Sequence, residues 1–360
     1  MLNITPSSKN TNETKTCIVI LGMHRSGSSL LTRMINLQGI PLGKSLLPPN
    51  SDNPKGFFEH KDIVRYNEDL LNNFGMTWSH PVDLPENWAK SAQAQFSRNL
   101  ILEVLNKEFA SQPLFAIKDP RMCRLLEMWE AIFVEFNTNP KYITIVRHPL
   151  EVASSLYDRD KINYDISYLL WLRYLLEPLA FTTPRPHTYV TYSGILQNFQ
   201  MVLAKIGQDL DLNKLSGFGH NNYAISAEID ENLYRNRSSN LKSLSGSALE
   251  NHVLNIYDFI QNNINDTGTI NQNLQNANNW LSNISQILDP ILVHFYNEIS
   301  LRDEVIINHQ EELLASFREI DKRDKDLSDL YNSATWRLTE PIRKLNRKLV
   351  KKFQDFNQNS

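Results

Sequence analysis

The sequence predicts an α/β protein, a central parallel sheet covered by helices on both faces with a helical extension at its C-terminal end. Three observations predict it. Short apolar runs, Cys17 to Leu21, Leu114 to Ile117, Tyr142 to Val146 and Thr188 to Tyr192, alternate with helical sequence, the pattern of parallel strands joined by helical crossovers. Each run is followed at once by small or polar residues (GMHRSGSS, KDPR, RHP and Ser193), which places a site at the carboxyl ends of the strands. A hydrophobic fraction of 41% over 360 residues is enough for one large domain with an appendage.

The first run opens a strand, turn and helix. Gly22 and, five positions on, Gly27 have the glycine spacing of a P-loop, and Ser29 to Gln38 reads as the helix behind it. Such a turn offers backbone N–H groups and the positive end of a helix dipole to an anion. Ser26, Ser28 and Ser29 add hydroxyls, and Arg25 adds a guanidinium fork suited to phosphate oxygens. Where a P-loop carries its phosphate-binding lysine, this chain has Ser28. A terminal triphosphate with Mg²⁺ would be poorly held there, so a ligand with fewer phosphates and no metal fits better. The expected fold is therefore a P-loop-type three-layer sandwich with a central parallel sheet.

The third run ends at Arg147, and the segment after the Pro149 turn reads as a helix carrying Ser154 and Ser155. A guanidinium and a hydroxyl converging there would make a second phosphate pocket, suited to a ligand with two separated phosphates. Between the first two strands, residues 48–60 read as a loop rich in turn formers, and residues 61–110 as mostly helical around a break at SHPVDLPENW. Residues 210 to 280 are rich in Asn and Ser and show no strong period.

Beyond Phe295 the pattern changes. Ile306, Leu313, Ile320 and Leu327 recur every seven residues, while the partner seam of Gln310, Phe317, Asp324 and Tyr331 is half apolar. This reads as a weak coiled coil, which would pair in a homodimer, or as a solvent-bridging helix. Residues 333–353 then place Trp336, Leu338, Ile342, Leu345, Leu349 and Val350 among seven Lys/Arg, with Pro341 near the start. Such a basic amphipathic helix lies on an anionic membrane, docks to a partner or is simply solvated. The expected organisation is an N-terminal arm over 1–15, a main domain over 16–295, a helical segment over 296–332 and a basic tail over 333–360.

A net charge of −3 gives no global basis for nucleic-acid binding. The two cysteines, Cys17 and Cys123, lack the spacing of a disulfide framework or a metal site and read as core thiols. The scattered His24, His80 and His148 read as structural or rim residues. The first fifteen residues lack the pattern of a secretory signal, and Tyr168 to Phe181 is short and carries Arg173 and Glu177. A cytoplasmic protein is expected, with a peripheral membrane contact through the tail as one option.

The stretches GMHRSGSSLLTRMINLQGIPLG, NPKGFFEHKDIVRYN, AIKDPRMCRLLEMW and ITIVRHPLEVASSL resemble the successive motifs of the sulfotransferase family, in the bacterial branch akin to tyrosylprotein and carbohydrate sulfotransferases. The resemblance covers residues 16 to 200 well and 200 to 295 loosely. It implies 3′-phosphoadenosine 5′-phosphosulfate (PAPS) as sulfuryl donor, without a metal. It further implies that Arg25, Ser26, Gly27, Ser28 and Ser29 hold the 5′-phosphosulfate and that Arg147 with Ser155 holds the 3′-phosphate. Tyr192 falls where the family often places an aromatic against adenine, although Ser193 and Gly194 stand where an acidic pair is usual, and a plain strand tyrosine is the other reading. The basic motif that closes the nucleotide site elsewhere has only Arg235 and Arg237 as a weak counterpart.

Sulfuryl transfer needs a base for the acceptor hydroxyl and cations for the transferring and leaving oxygens. The resemblance implies Glu59 as base, with Phe57 and Phe58 desolvating it, then His60 and Asp119 in that order; Lys118 and Arg25 are the expected cations. Asp119 would otherwise orient Lys118 or Arg121. The tail resembles those of bacterial enzymes of cell-surface polysaccharide assembly, which suggests a carbohydrate acceptor, with protein tyrosine as competitor. Two other readings stay open: a P-loop small-molecule kinase, and a non-catalytic nucleotide-binding or scaffold protein.

Overall fold

A computed structural model describes residues 14–50, 53–214, 218–219, 222–228 and 246–358. Two compact units divide it, Met1–Asp289 and Pro290–Ser360. In the first, strands β1 (Lys15–Leu21), β2 (Leu114–Lys118), β3 (Thr138–Val146) and β4 (His187–Thr191) form one sheet in the order β2-β1-β3-β4. Every pairing is parallel, with Val19 opposite both Ile117 and Tyr142, and Tyr142 opposite His187.

The alternation of side chains along a strand explains why β1 is apolar from Cys17 to Leu21. Cys17, Val19 and Leu21 enter the core on one face of the sheet, and Ile18 and Ile20 enter a second core on the other. The first face is covered by α3 (Ala92–Phe109), α4 (Met122–Glu135) and α6 (Tyr164–Leu176), through Leu105, Trp129 and Leu170. The second is covered by α1 (Ser28–Leu37) and α8 (Tyr192–Asp209), through Leu31, Ile35, Ile195 and Leu203. Each fully buried branched side chain contributes roughly 1.5–3 kcal/mol, so an all-apolar central strand is what two-sided coverage demands.

Helices α2 (Lys61–Asn73), α5 (Pro149–Asp160), α7 (Leu179–Thr182), α9 (Asn222–Glu228) and α10 (Ala248–Asn262) complete the unit, with the first turns of α11 (Thr267–Asn332). The stretch from 210 to 280, without a readable period, thus contains α9, α10 and the start of α11. Ser247 caps α10, its side chain accepting from the Glu250 N–H. Tyr192 opens α8 and is not a strand residue, because the Thr191 side chain caps that helix by accepting from the Gly194 N–H.

The second unit holds the rest of α11, then α12 (Ala334–Leu338) and α13 (Glu340–Gln358). The heptad residues Ile306, Leu313, Ile320 and Leu327 are about half exposed. Pro341 sits in the first turn of α13, where its missing N–H needs no partner. Among the described residues no helix is long and apolar enough to cross a membrane.

Candidate functional site

The carboxyl ends of the four strands meet at one cavity of about 380 Å³. The turn after β1 supplies His24, Arg25, Gly27, Ser28 and Ser29, β2 supplies Lys118, β3 is followed by Arg147, and Tyr192 follows β4. The loop from Asn53 to Glu59 forms the facing wall.

Close packing dictates the turn. A Cβ on Gly22 would sit 2.7 Å from the Ile145 carbonyl oxygen of the neighbouring strand, so only glycine lets the chain leave the sheet there. Gly27 has φ +91°, and a Cβ on it would sit 2.2 Å from the Tyr192 ring. Arg25 itself takes a left-handed φ of 68°, backbone strain of the kind that collects at functional sites. Gly27 brings no side-chain cap to α1, whose first turn opens toward the cavity.

The two expected phosphate elements are brought together. Arg25 Nε donates to Ser155 Oγ at 2.8 Å, and Arg147 Nη1 donates to the Arg25 carbonyl at 3.0 Å. Arg147 Nε also donates to Glu151 Oε2 at 2.9 Å, and its guanidinium lies 4.6 Å from the centre of the Tyr192 ring. Ser155 therefore meets Arg25 directly, and Arg147, which stands between β3 and α5, reaches Glu151 in the first turn of that helix. The spacing of Arg147 and Glu151, four residues across the Pro149 turn, was the signal that could have found this pair.

On the opposite wall, Lys118 and Glu59 form a buried ion pair. Lys118 Nζ also donates to Ser29 Oγ and to the Phe57 carbonyl, both at 3.3 Å. Burial raises the Glu59 carboxyl above the usual range, against the pull of Lys118. Phe57 and Phe58 line the cavity beside it.

Three of the expected site residues do not line the cavity. His60 is buried on the far side of its loop, its Nε2 facing Glu108 at 3.9 Å, and does not line the cavity. Alternation along an extended segment turns it away from the side that Glu59 faces. Asp119 is fully buried, accepts from Asn67 and holds Arg121 through the backbone N–H and Nη1, so both of its oxygens are engaged away from the cavity. Ser26 has its N–H on the Met23 carbonyl and its Oγ buried, so it shapes the turn without lining the cavity. Arg235 and Arg237 lie outside the described residues.

Sequence reasoning gave His24 no more than a structural or rim role; it lines the cavity with its ring 4.3 Å from that of Trp78. Burial, with Arg121, Arg159, Lys118 and Arg25 nearby, holds this imidazole well below its ordinary pKa and hence neutral. Arg33, Lys55 and Glu228 were missed altogether. Glu228, on α9, accepts from Arg33 Nε at 2.9 Å, and its carbonyl accepts from Lys55 Nζ at 2.6 Å. Nothing in the sequence linked residues almost two hundred positions apart.

Fold and site together define an α/β protein of P-loop type, with a lysine-less glycine turn facing an electropositive cavity. No family model matches the chain, and no curated protein sequence is significantly similar to it. Two similar solved structures are sulfotransferase domains. One, from the Synechococcus PCC 7002 olefin synthase, has 18% identity and a TM-score of 0.41 and covers 69% of this chain and 96% of that domain. The other, from the curacin biosynthetic pathway, has 19% identity and a TM-score of 0.39 and covers 68% of this chain and 98% of that domain.

Proposed function

We propose that the protein is a PAPS-dependent sulfotransferase that moves a sulfuryl group to a hydroxyl, on a carbohydrate of a cell-surface glycan. One observation carries the reading: the Arg25–Ser29 turn, the Arg147–Ser155 element and the Glu59–Lys118 pair converge on one cavity. Six of the lining residues are Arg or Lys and three are Asp or Glu, an excess of positive charge that suits a ligand with several anionic groups.

In this reading the α1 N-terminus with Ser28, Ser29 and Arg25 binds the phosphosulfate, and Arg147 binds the second phosphate, with Ser155 and the Tyr192 ring beside it. Glu59 accepts the proton of the acceptor hydroxyl as its oxygen bonds to sulfur. The bond from sulfur to the bridging phosphate oxygen breaks, and adenosine 3′,5′-bisphosphate leaves. Lys118 and Arg25 hold the charge on the sulfuryl and departing oxygens. A raised pKa suits Glu59 to this role, since a base works best when its pKa lies near the working pH. The carbohydrate acceptor rests on the resemblance of the tail to those of polysaccharide-assembly enzymes.

The test is calorimetric titration with adenosine 3′,5′-bisphosphate and, separately, with ATP and Mg²⁺, on the wild type and Arg147→Ala. Metal-free bisphosphate binding that the substitution weakens by roughly 10- to 150-fold is expected. Binding of Mg-ATP alone would put the kinase reading first, and nucleotide binding without sulfuryl transfer to any hydroxyl would favour the scaffold reading. Labelled-sulfate transfer to glycans and to tyrosine peptides then separates the two acceptor classes.

A further inference from the structure

The second unit ends in a helix whose two faces differ sharply. On α13, Ile342, Leu345 and Leu349 recur at helical spacing and share one face, whereas Arg343, Lys344, Arg347, Lys348 and Lys351 fall on the other. The apolar residues are uncovered: Ile342 is 68% exposed, Leu345 63%, and Leu349 and Val350 50% each. Leu338, on α12, is 79% exposed.

The corner before this helix is already built. Ser333 caps α12 by accepting from the Trp336 N–H at 3.2 Å. The Arg343 guanidinium lies 3.7 Å from the Trp336 ring centre and donates to the Trp336 carbonyl and to Thr339 Oγ1. Lys344 pairs with Glu340 at 2.8 Å. Among the described residues, most of the polar face has no acidic counterpart of this kind, since residues 333–353 hold seven Lys/Arg against one Glu in a chain of net charge −3.

We propose that α12 and α13 dock in the plane of an anionic lipid surface, apolar face down, with the basic residues reaching the headgroups. Charge selects this occupant. A second copy laid on the same face would bring two strongly basic helices together, and a nucleic acid would leave Ile342, Leu345 and Leu349 uncovered. A lipid interface satisfies both faces, because its headgroups neutralise the lysines and arginines while its acyl boundary covers the apolar stripe. The inference is independent of the activity proposed for the cavity.

The test is vesicle flotation with the full chain, using phosphatidylglycerol-containing vesicles and pure phosphatidylcholine vesicles, at low and high salt. Binding to the anionic vesicles alone is expected, lost at high salt, and weakened about tenfold by Leu345→Glu with Leu349→Glu. Unchanged circular dichroism and an unchanged unfolding midpoint for the body confirm that the variant is folded. Three results would overturn the proposal: no flotation with anionic vesicles, equal flotation with neutral ones, or a lipid-free dimer by sedimentation velocity that the double substitution abolishes.

Discussion

Two clusters of basic residues in the first unit answer opposite needs. Around Arg124 and Arg173 the carboxylates are in excess: Arg173 meets Asp83, Glu177 and Asp289, and Arg124 meets Glu177. Backbone oxygens of Pro81, His80 and Val82 take further N–H groups. Around the cavity the cations are in excess, six to three. The first cluster is saturated and fastens residues 80–83 to α4, α6 and α11, while the second carries positive charge that a ligand can use. The two are joined, because the fastened segment continues from Trp78, whose carbonyl accepts from Tyr174 Oη at 2.8 Å and whose ring backs His24.

The comparison breaks most visibly at Glu59, the buried carboxylate of the cationic cluster. Glu59→Gln keeps the shape and removes the proton acceptor proposed above. Turnover in a sulfuryl-transfer assay is expected to fall by about 10²–10⁴-fold, with bisphosphate binding by calorimetry retained. Unchanged turnover would remove Glu59 from the mechanism.

Arg173→Met tests the saturated cluster. It leaves Asp83, Glu177 and Asp289 without their shared cation, and the expected loss is about 3–5 kcal/mol in denaturant unfolding. A loss below about 1 kcal/mol would mean that the network is solvated and weak. Arg147→Ala belongs to the other side, with bisphosphate affinity expected to fall by roughly 1.5–3 kcal/mol, the worth of hydrogen bonds to a charged group.

The sheet and its site were legible because both are local. Each strand is an apolar run of the right length, and each chemistry-bearing residue follows its strand within a few positions, as Lys118, Arg147 and Tyr192 do. Glu59, reached through the family resemblance, and Lys118, an expected cation, meet as an ion pair that the sequence did not announce. What stayed hidden is set by distance along the chain. The Arg33 partner Glu228 and the Arg173 partner Asp289 lie on helices of weak period, and no local pattern announces such a contact. His60 was misplaced for a different reason. It adjoins Glu59, but neighbouring residues in an extended segment face opposite ways.

Gly27→Ala sharpens the reading of the turn. The new methyl would sit 2.2 Å from the Tyr192 ring at a φ of +91°, so the ring must move or the turn must open. A loss of about 1–3 kcal/mol in stability is expected, with bisphosphate binding weakened alongside, because the same ring stacks on Arg147. Full stability and affinity would mean that the turn relaxes freely.

The dependence on pH separates the site from the scaffold by sign. Glu59 must be ionised to accept a proton, yet burial favours its neutral form. The acid limb of kcat/KM should therefore lie above the ordinary glutamate value of 4.5, with activity rising as pH rises through it. For folding, Glu59 acts the other way: a carboxyl whose folded-state pKa is raised adds stability below its unfolded value and loses it as pH rises. His187, buried in the body with Nε2 on Thr144 Oγ1 at 2.9 Å, has its pKa pushed down from 6.5 to about 3 by burial and nearby Lys205. The unfolded chain takes up that proton first, so the stability His187 contributes is complete above 6.5 and is lost as pH falls toward 3. Unfolding midpoints measured across this window should slope for the wild type and less steeply for His187→Gln, because His24 keeps its share of the slope, while the kcat/KM limb stays in place. If the limb moves with the midpoints, inactivation at low pH is unfolding, and the acid limb cannot be assigned to Glu59.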